Sequence, residues 1–126
     1  MSNTNPKSLY ERLGGYDAIC AVANDLLSRL AADKLLARFW KNRGDDGVAR
    51  EKQLLIDFLC ASAGGPMYYT GRAMNLSHKG MQISETDWRA FLGHLHATLN
   101  SFQVPQQECA EVLAFIESTK SDIIEL

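Results

Sequence analysis

The sequence predicts an all-α fold with four principal helices. Apolar residues recur at three- and four-residue steps in four separate segments, which is the period of a helix that buries one face. Ser, Gly and Pro residues typical of helix ends separate these segments. No segment sustains the two-residue alternation of a half-buried strand, and no repeat or linker divides the chain. We therefore expect a single helical domain.

The first two helices lie close to the N-terminus. Ser8 and Glu11 have the Ser-x-x-Glu spacing of a capping box, in which each side chain accepts a hydrogen bond from the other residue's backbone N–H. Gly14 and Gly15 can end this short helix, because glycine adopts the left-handed conformation that often follows a helix. A long helix from Asp17 is predicted by the apolar residues Ile19, Val22, Ala23, Leu26, Leu27 and Leu30.

A second long helix is expected from about Val48 to Ala63, after a polar loop over residues 41–47. The Gly-Gly-Pro sequence at 64–66 stops it, since proline cannot continue a helix. A loosely structured stretch then follows over residues 64–83. The buried stripe of the helix is Leu54, Leu55, Phe58 and Leu59.

The third and fourth long helices complete the chain. Ser84 offers an N-cap and Asp87 a carboxylate in the first turn of the third helix. Pro105 opens the fourth, because its fixed φ suits the first turn. The third helix buries Trp88, Phe91, Leu92, Leu95 and Leu99. The fourth keeps its period almost to the C-terminus through Cys109, Val112, Leu113, Ile116, Ile123 and Ile124.

Composition excludes several classes of protein. The 46% of hydrophobic residues supply a core for one domain of 126 residues. The net charge of -2 and the lack of a basic block predict no nucleic-acid and no membrane partner. No apolar run approaches the roughly 18 residues that span a bilayer. Residues 1–7 are expected to form a disordered tail, neither a signal nor a transit peptide, before a domain over 8–126, and we expect a cytoplasmic protein.

The three cysteines, Cys20, Cys60 and Cys109, are odd in number and far apart. Without a Cys-x-x-Cys pair they support neither a structural zinc site nor a thioredoxin-like motif. Each lies in an apolar helical stretch, so we expect buried small hydrophobes, with redox sensitivity as the alternative.

His78 is the histidine best placed to ligate a haem iron. Its apolar and basic surroundings suit a flat cofactor with an apolar body, an axial metal site and anionic edge groups. The alternative is a hydrogen-bonded histidine in a short amphipathic segment packed on a core, and the residues leave both open. The surrounding residues are Met74, Leu76 and Met81, with Arg72 and Lys79.

In their order and spacing these landmarks resemble the truncated haemoglobin family, specifically group I. The resemblance runs from Ser8 to Ile124. It implies a globin-like, two-over-two helical sandwich around a b-type haem, with His78 as the proximal iron ligand. If His78 is helical, the backbone carbonyl of Met74 is a natural partner for its second ring nitrogen. The features that carry it are Leu9-Tyr10-Glu11-Arg12-Leu13-Gly14-Gly15, Phe39-Trp40, Gly64-Gly65-Pro66, Tyr69-Thr70-Gly71, the His78 segment and Val104-Pro105.

The resemblance also implies which side chains cover the haem. Trp40 stands where the family commonly has phenylalanine, so the choice between the Phe39 and Trp40 rings is open. Most of the set would equally be core residues in any helical bundle. The implied haem contacts are Phe39 or Trp40, Leu55, Phe58, Leu59, Met74, Ser77, Met81, Ile83, Trp88 and Leu95.

The distal side of the implied pocket departs from the family pattern. Many group I members place a tyrosine on the first long helix and glutamines on the second, where they donate hydrogen bonds to bound oxygen. Here the tyrosine position falls on Leu27, and Leu55 and Leu54 occupy the positions on the second helix. Glu51 is the one polar candidate, although a carboxylate is more cheaply exposed than buried unpaired. A shift in the register of the second long helix would bring Gln53, rather than Glu51, into the distal pocket.

The other two histidines, His94 and His96, lie on different faces of the third long helix and do not form a joint metal site. We expect His94 to be packed and hydrogen-bonded and His96 to be exposed.

Three functions remain open. The first is reversible binding of oxygen, CO and NO at a haem ligated by His78. The second is a haem enzyme for nitric oxide dioxygenation, nitrite reduction or peroxide chemistry, with a reductase as an open partner. Peroxide chemistry gains from a distal acid–base group, which the leucine-lined side lacks unless Glu51 turns inward. The third is a helical interaction module without cofactor.

Overall fold

The computed structural model describes residues 7–40, 44–66 and 78–125, and this part of the chain is helical apart from short connections. It contains no strand, so the all-α prediction is confirmed there. The predicted haem contacts Met74 and Ser77, and most of the stretch expected to be loosely structured, lie outside the described residues. The elements are α1 (Leu9–Leu13), α2 (Gly15–Ala32), a 3-10 helix (Ala37–Trp40), α3 (Asp45–Ser62), α4 (Glu85–Ser101), α5 (Gln106–Glu117) and α6 (Lys120–Ile123).

Capping boxes begin both α1 and α4, where the sequence predicted a capping box at Ser8 and an N-cap at Ser84. At α1, Ser8 Oγ accepts from the backbone N–H of Glu11 at 3.2 Å, and Glu11 Oε1 accepts from that of Ser8 at 3.3 Å. At α4, the Ser84 hydroxyl accepts from the N–H of Asp87, and the Asp87 carboxylate accepts from that of Ser84. Each box satisfies two N–H groups that have no partner within the helix.

The prediction for the start of α3 is wrong by three residues. The helix begins at Asp45 rather than Val48, so the end of the predicted 41–47 loop is helical. Gly44 takes the N-cap position with an extended backbone, and the acidic Asp46 lies near the N-terminus, where the helix dipole favours a carboxylate. Residues 41–43 lie outside the described part of the chain.

The end of α3 packs against α1. The backbone N–H of Tyr10 donates to Ala63 O at 2.8 Å. A Cβ atom on Gly65 would lie 2.5 Å from Cδ1 of the Tyr10 ring, so only glycine allows this approach. Two separate sequence landmarks, Tyr10 and Gly65, therefore belong to one contact.

The fourth predicted helix is broken, which corrects the expectation of one helix running almost to the C-terminus. α5 ends at Glu117 and α6 begins only at Lys120. In the bend, the Ser118 hydroxyl donates to Phe115 O and the Thr119 hydroxyl donates to Ile116 O at 2.6 Å. Such side-chain bonds to backbone carbonyls compete with regular helix geometry.

The core lies where α2 crosses α3 and α4, with α5 packed against α4. Cys60 and Cys109 are buried, as predicted, but Cys20 is only half-buried, which corrects the expectation for that residue. Burial raises the pKa of Cys60 to about 11, with smaller contributions from Cys20 and Asp57, so its thiol stays protonated at neutral pH. No helix within the described ranges is long and apolar enough to cross a membrane.

Candidate functional site

A cavity of about 270 Å³ lies between α2, the 3-10 helix, α3, α4 and the C-terminal helices. Large cavities with apolar walls and a few polar groups are where cofactors and small ligands usually bind. Four polar side chains reach the cavity, namely Glu51, His78, Asp87 and Thr119. The other walls are Leu27, Leu30, Leu36, Phe39, Trp40, Leu54, Leu55, Phe58, Met81, Ile83, Trp88, Phe91, Ile116 and Ile123.

Eleven of the residues that the sequence analysis named for the implied haem pocket line this one cavity, although they come from five segments of the chain. They are Leu27, Phe39, Trp40, Glu51, Leu54, Leu55, Phe58, His78, Met81, Ile83 and Trp88. Both rings of the open pair Phe39 and Trp40 contribute, with centroids 6.3 Å apart in an edge-on arrangement.

Two of the predicted haem contacts, Leu59 and Leu95, do not line the His78 cavity. They line a second, separate apolar cavity of about 110 Å³ on the side of α2 that carries Ile19 and Val22. Leu59 follows Phe58 by one residue, which turns its side chain about 100° around the helix and away from the His78 cavity. Helical spacing predicted both leucines to be buried, and they are 6% and 1% exposed.

His78 is half-buried and lies at the start of the last described segment. Its backbone carbonyl accepts from the N–H of Met81 at 3.2 Å, which makes a turn. His94 lies elsewhere, with Nε2 2.6 Å from Asp33 Oδ2, and His96 is exposed, so both predictions for these histidines are confirmed. His78 is the one histidine of the three that lines the cavity.

A histidine alone does not hold a metal ion, and the described residues contain no group of three or more His, Cys, Asp or Glu side chains that could do so. A metal ion bound to His78 would therefore need its other ligands from a cofactor. A porphyrin supplies those ligands, and its flat apolar body suits walls of leucine, phenylalanine and tryptophan. The residues present therefore fit a haem.

The α3 face that meets the cavity carries Glu51, Leu54, Leu55 and Phe58, as the helical period requires. Glu51, the one polar candidate for the distal side, is half-buried there. Gln53 is exposed on another face, where its Nε2 donates to Tyr16 Oη at 3.2 Å and to Asp57 Oδ1 at 3.0 Å. The register shift that would bring Gln53 into the pocket therefore does not occur.

Asp87 is a cavity residue that sequence reasoning missed. It is 2% exposed and accepts a hydrogen bond from Arg38 Nη2 at 2.6 Å. Burial raises the pKa of Asp87, but the hydrogen bonds from Arg38 and Ser84 outweigh it and leave the pKa below its usual value. Arg38 also lies over the Phe39 ring, 4.2 Å from its centroid, so the ion pair helps to fix the 3-10 helix against the cavity.

The C-terminal helices supply three further walls that sequence reasoning left out as site residues. Ile116, Thr119 and Ile123 reach the cavity from α5, the bend and α6. Nearby, Trp88 Nε1 donates to Glu117 Oε1 at 2.9 Å, which fixes the indole ring in the cavity wall. The apolar period of the fourth helix indicated burial but not which cavity the side chains would face.

Known proteins resemble this chain over nearly its whole length. The family model described as bacterial-like globin matches residues 8–125. The group 1 truncated hemoglobin of Tetrahymena pyriformis is 32% identical over 119 residues, which cover 94% of this chain and 96% of that protein. The group 1 truncated hemoglobin GlbN of Mycolicibacterium paratuberculosis is 31% identical over 118 residues, covering 94% of this chain and 85% of that protein.

Solved structures show the same fold. The truncated hemoglobin from Tetrahymena pyriformis in its Fe(III) form matches with a TM-score of 0.86 at 31% identity, over 95% of this chain and 100% of that one. A 2/2 hemoglobin from a Synechococcus species, solved with covalently attached heme, matches with a TM-score of 0.84 at 27% identity, over 94% of this chain and 98% of that one. The predicted two-over-two sandwich is thereby confirmed.

Proposed function

The chain belongs to the bacterial-like globin family and, within it, to the group 1 truncated haemoglobins, and from this premise we propose that it binds a b-type haem through His78 and takes diatomic gases on the opposite face. Haem-based ligand binding is the property of the family. The iron ligand, the haem type, the gases and the polarity of the pocket are our inference. The observation that carries it is a single histidine, His78, in the wall of a largely apolar cavity.

The cavity residues would hold the haem in three ways. A neutral ring nitrogen of His78 is the natural axial ligand. Phe39, Phe58 and Trp88 present flat apolar surfaces that pack against a macrocycle and exclude water. The chain has no Cys-x-x-Cys-His sequence, and none of its three cysteines lines the cavity, which supports a haem held without thioether bonds. The bound haem would supply an iron that takes oxygen, CO or NO reversibly.

The polarity of the ligand side follows from Leu27, Leu54 and Leu55, whose side chains have no hydrogen-bond donor. A hydrogen bond to the partial negative charge on bound oxygen is worth roughly 1 to 3 kcal/mol, or about tenfold to a hundredfold in affinity. Without it we expect faster oxygen release, with CO affected less because its binding relies less on that bond. Glu51 offers acceptor oxygens alone while its carboxylate is ionised.

The test is the visible spectrum of the hemin-reconstituted protein as ferric, as dithionite-reduced and as reduced plus CO. His78→Ala should alter or abolish the histidine-ligated spectrum, whereas His96→Ala, which changes an exposed histidine on α4, should leave it intact. Absence of stoichiometric haem uptake, or a spectrum indifferent to His78→Ala, would overturn the assignment of His78. Failure of the wild type to take up haem would favour the cofactor-free helical module.

A second candidate function is peroxide chemistry, and the cavity position of Glu51 favours it. A carboxylate there could take a proton from hydrogen peroxide and return it to the departing oxygen, which is the acid–base role such reactions need. Turnover of peroxide with an organic reductant should then fall about tenfold to a hundredfold in Glu51→Gln, measured against Gln53→Glu, which alters an exposed position of α3. Equal rates in wild type and Glu51→Gln would remove this candidate. Nitric oxide dioxygenation or nitrite reduction would need an electron-donating partner such as a reductase.

A further inference from the structure

The C-terminus folds back onto the turn that follows His78. The Glu125 carboxylate accepts two backbone hydrogen bonds from this turn, from Gly80 N to Oε2 at 3.0 Å and from Gln82 N to Oε1 at 2.7 Å. The backbone N–H of Glu125 donates in return to Ile83 O at 3.0 Å. We call residues 78–83 the proximal turn and these three hydrogen bonds the C-terminal clasp.

The proximal turn has a backbone that needs support from outside. Gly80 has a φ of 84° and Gln82 a φ of 56°. The left-handed region is open to glycine, but a residue such as glutamine adopts it rarely and persists there when its surroundings hold it. The clasp bonds the N–H groups of these two residues. Within the turn itself, the N–H of Met81 donates to His78 O.

The clasp involves a charged acceptor. The hydrogen bonds from Gly80 and Gln82 lower the pKa of Glu125, so its carboxylate is ionised at neutral pH. Hydrogen bonds to an ionised carboxylate are shorter and stronger than those to a neutral acceptor.

The clasp is anchored by the helix that precedes it. Ile123, on α6, is 8% exposed and lines the same cavity as His78. Thr119, in the bend before α6, lines that cavity too. The C-terminal segment thus forms part of the cavity wall and is hydrogen-bonded to the turn that carries the histidine.

We propose that Glu125 is a positioning residue for His78. By accepting the backbone N–H groups of Gly80 and Gln82 it fixes the proximal turn, and through the turn it sets the orientation of the imidazole toward the cavity. This rests on the proposed haem ligation by His78. The clasp should then slow haem loss and define the iron–histidine bond, since a ligand held in one orientation dissociates less readily than one on a mobile loop.

The experiment compares wild type with Glu125→Ala, Glu125→Gln and Asp122→Ala. Asp122 is exposed on α6 and its replacement changes the net charge by the same amount, so it is the matched control. Three quantities are measured, namely amide hydrogen exchange at Gly80 and Gln82, the rate of haem loss to an excess of a haem-scavenging apoprotein, and the iron–histidine stretching band of the reduced protein by resonance Raman spectroscopy.

Glu125→Ala should speed exchange at both amides and raise the rate of haem loss by roughly threefold to tenfold, because only part of the free energy of the two lost hydrogen bonds acts on the iron ligand. The iron–histidine band should shift or broaden. Glu125→Gln keeps a side-chain oxygen, so its values should lie between those of wild type and Glu125→Ala. Asp122→Ala should match wild type in all three measurements.

The two proposals fail in different ways. Wild-type protein that takes up no haem would overturn ligation by His78, and with it the positioning role. Wild-type protein that binds haem while Glu125→Ala behaves like Asp122→Ala would overturn the clasp alone. Faster exchange with unchanged haem loss and an unchanged band would show that Glu125 merely stabilises the turn, which would also overturn the positioning role.

Discussion

Leu27 is the residue that we predict to stand where many group I members carry a tyrosine. It lines the cavity from α2 and offers no hydrogen-bond donor, so a tyrosine there would add a hydroxyl to an otherwise apolar wall.

We predict that Leu27→Tyr slows oxygen dissociation by about tenfold to a hundredfold, with a smaller effect on CO. Stopped-flow displacement of oxygen by CO measures the rate. Leu27→Phe adds the ring without the hydroxyl and is the control. An unchanged dissociation rate in Leu27→Tyr would show that Leu27 does not face the bound gas.

Asp87 is the residue whose role depended most on tertiary contacts. Its pKa in the folded protein lies below the value in the unfolded chain, so the unfolded state takes up protons first as the pH falls. The stability contributed by the Arg38 hydrogen bond is therefore fully present above the unfolded pKa of about 3.9. It is lost as the pH falls through the lower folded pKa.

Asp87→Asn should lower the free energy of unfolding by about 1 to 2 kcal/mol at pH 7, since Arg38 is itself partly exposed. Urea denaturation at pH 7 and at pH 3 measures the difference from wild type. The difference in free energy of unfolding between wild type and Asp87→Asn should be smaller at pH 3, where wild-type Asp87 begins to protonate. A difference that grows on acidification would contradict this account of the ion pair.

Among the elements, the junction of α1 with α3 shows how glycine permits a contact between helices. A Cβ on Gly65 would meet the Tyr10 ring at 2.5 Å and Cys60 O at 3.0 Å, and neither neighbour can move freely. Gly93 is a useful comparison, because a Cβ there would meet nothing within 4 Å.

Gly65→Ala should therefore destabilise the protein by about 1 to 3 kcal/mol, the usual cost of overpacking. Gly93→Ala should be stabilising by up to about 1 kcal/mol, because alanine favours the helix. Thermal or urea unfolding of both variants provides the measurement. If Gly65→Ala proved as harmless as Gly93→Ala, the close packing of Tyr10 on the end of α3 would be wrong.

The elements also mark where local sequence signals are strong and where they fail. The helix starts at Ser8 and Ser84 depend on local signals and were both predicted, Ser8 as a capping box and Ser84 as an N-cap. The start of α3 was missed because its first turn is polar, and the break before Lys120 was missed because the apolar period continues past it. At this break the hydroxyls of Ser118 and Thr119 donate to backbone carbonyls, which the apolar period of the fourth helix does not indicate.

In the molecule as a whole, nearly every helix contributes side chains to the walls of the His78 cavity. α2, the 3-10 helix, α3, α4 and the C-terminal helices each contribute walls, so a ligand there contacts all of them at once. Such a ligand stabilises the folded state by mass action, because the unfolded chain has no such cavity.

Removal of haem should therefore lower the melting temperature of the whole domain. A ligand present at about 100 times its Kd adds roughly 2.7 kcal/mol, which corresponds to about 10 °C for a domain of this size. Differential scanning calorimetry of haem-free and haem-loaded protein measures the shift, and His78→Ala should show a smaller one. Equal melting temperatures with and without haem would argue against haem binding in the core.

The helical class, the helix starts at Ser8 and Ser84, the family and His78 as the candidate ligand could all be predicted from the sequence. Each depends on local information, namely period, spacing and the order of short motifs along the chain. The tertiary structure alone decided that Leu59 and Leu95 face the smaller cavity, that Glu51 rather than Gln53 reaches the larger one, and that Asp87 and Glu125 contact residues distant in sequence. Helical period states that a side chain is buried, whereas the crossing of helices decides which cavity it faces, because that crossing depends on contacts between segments far apart in the chain.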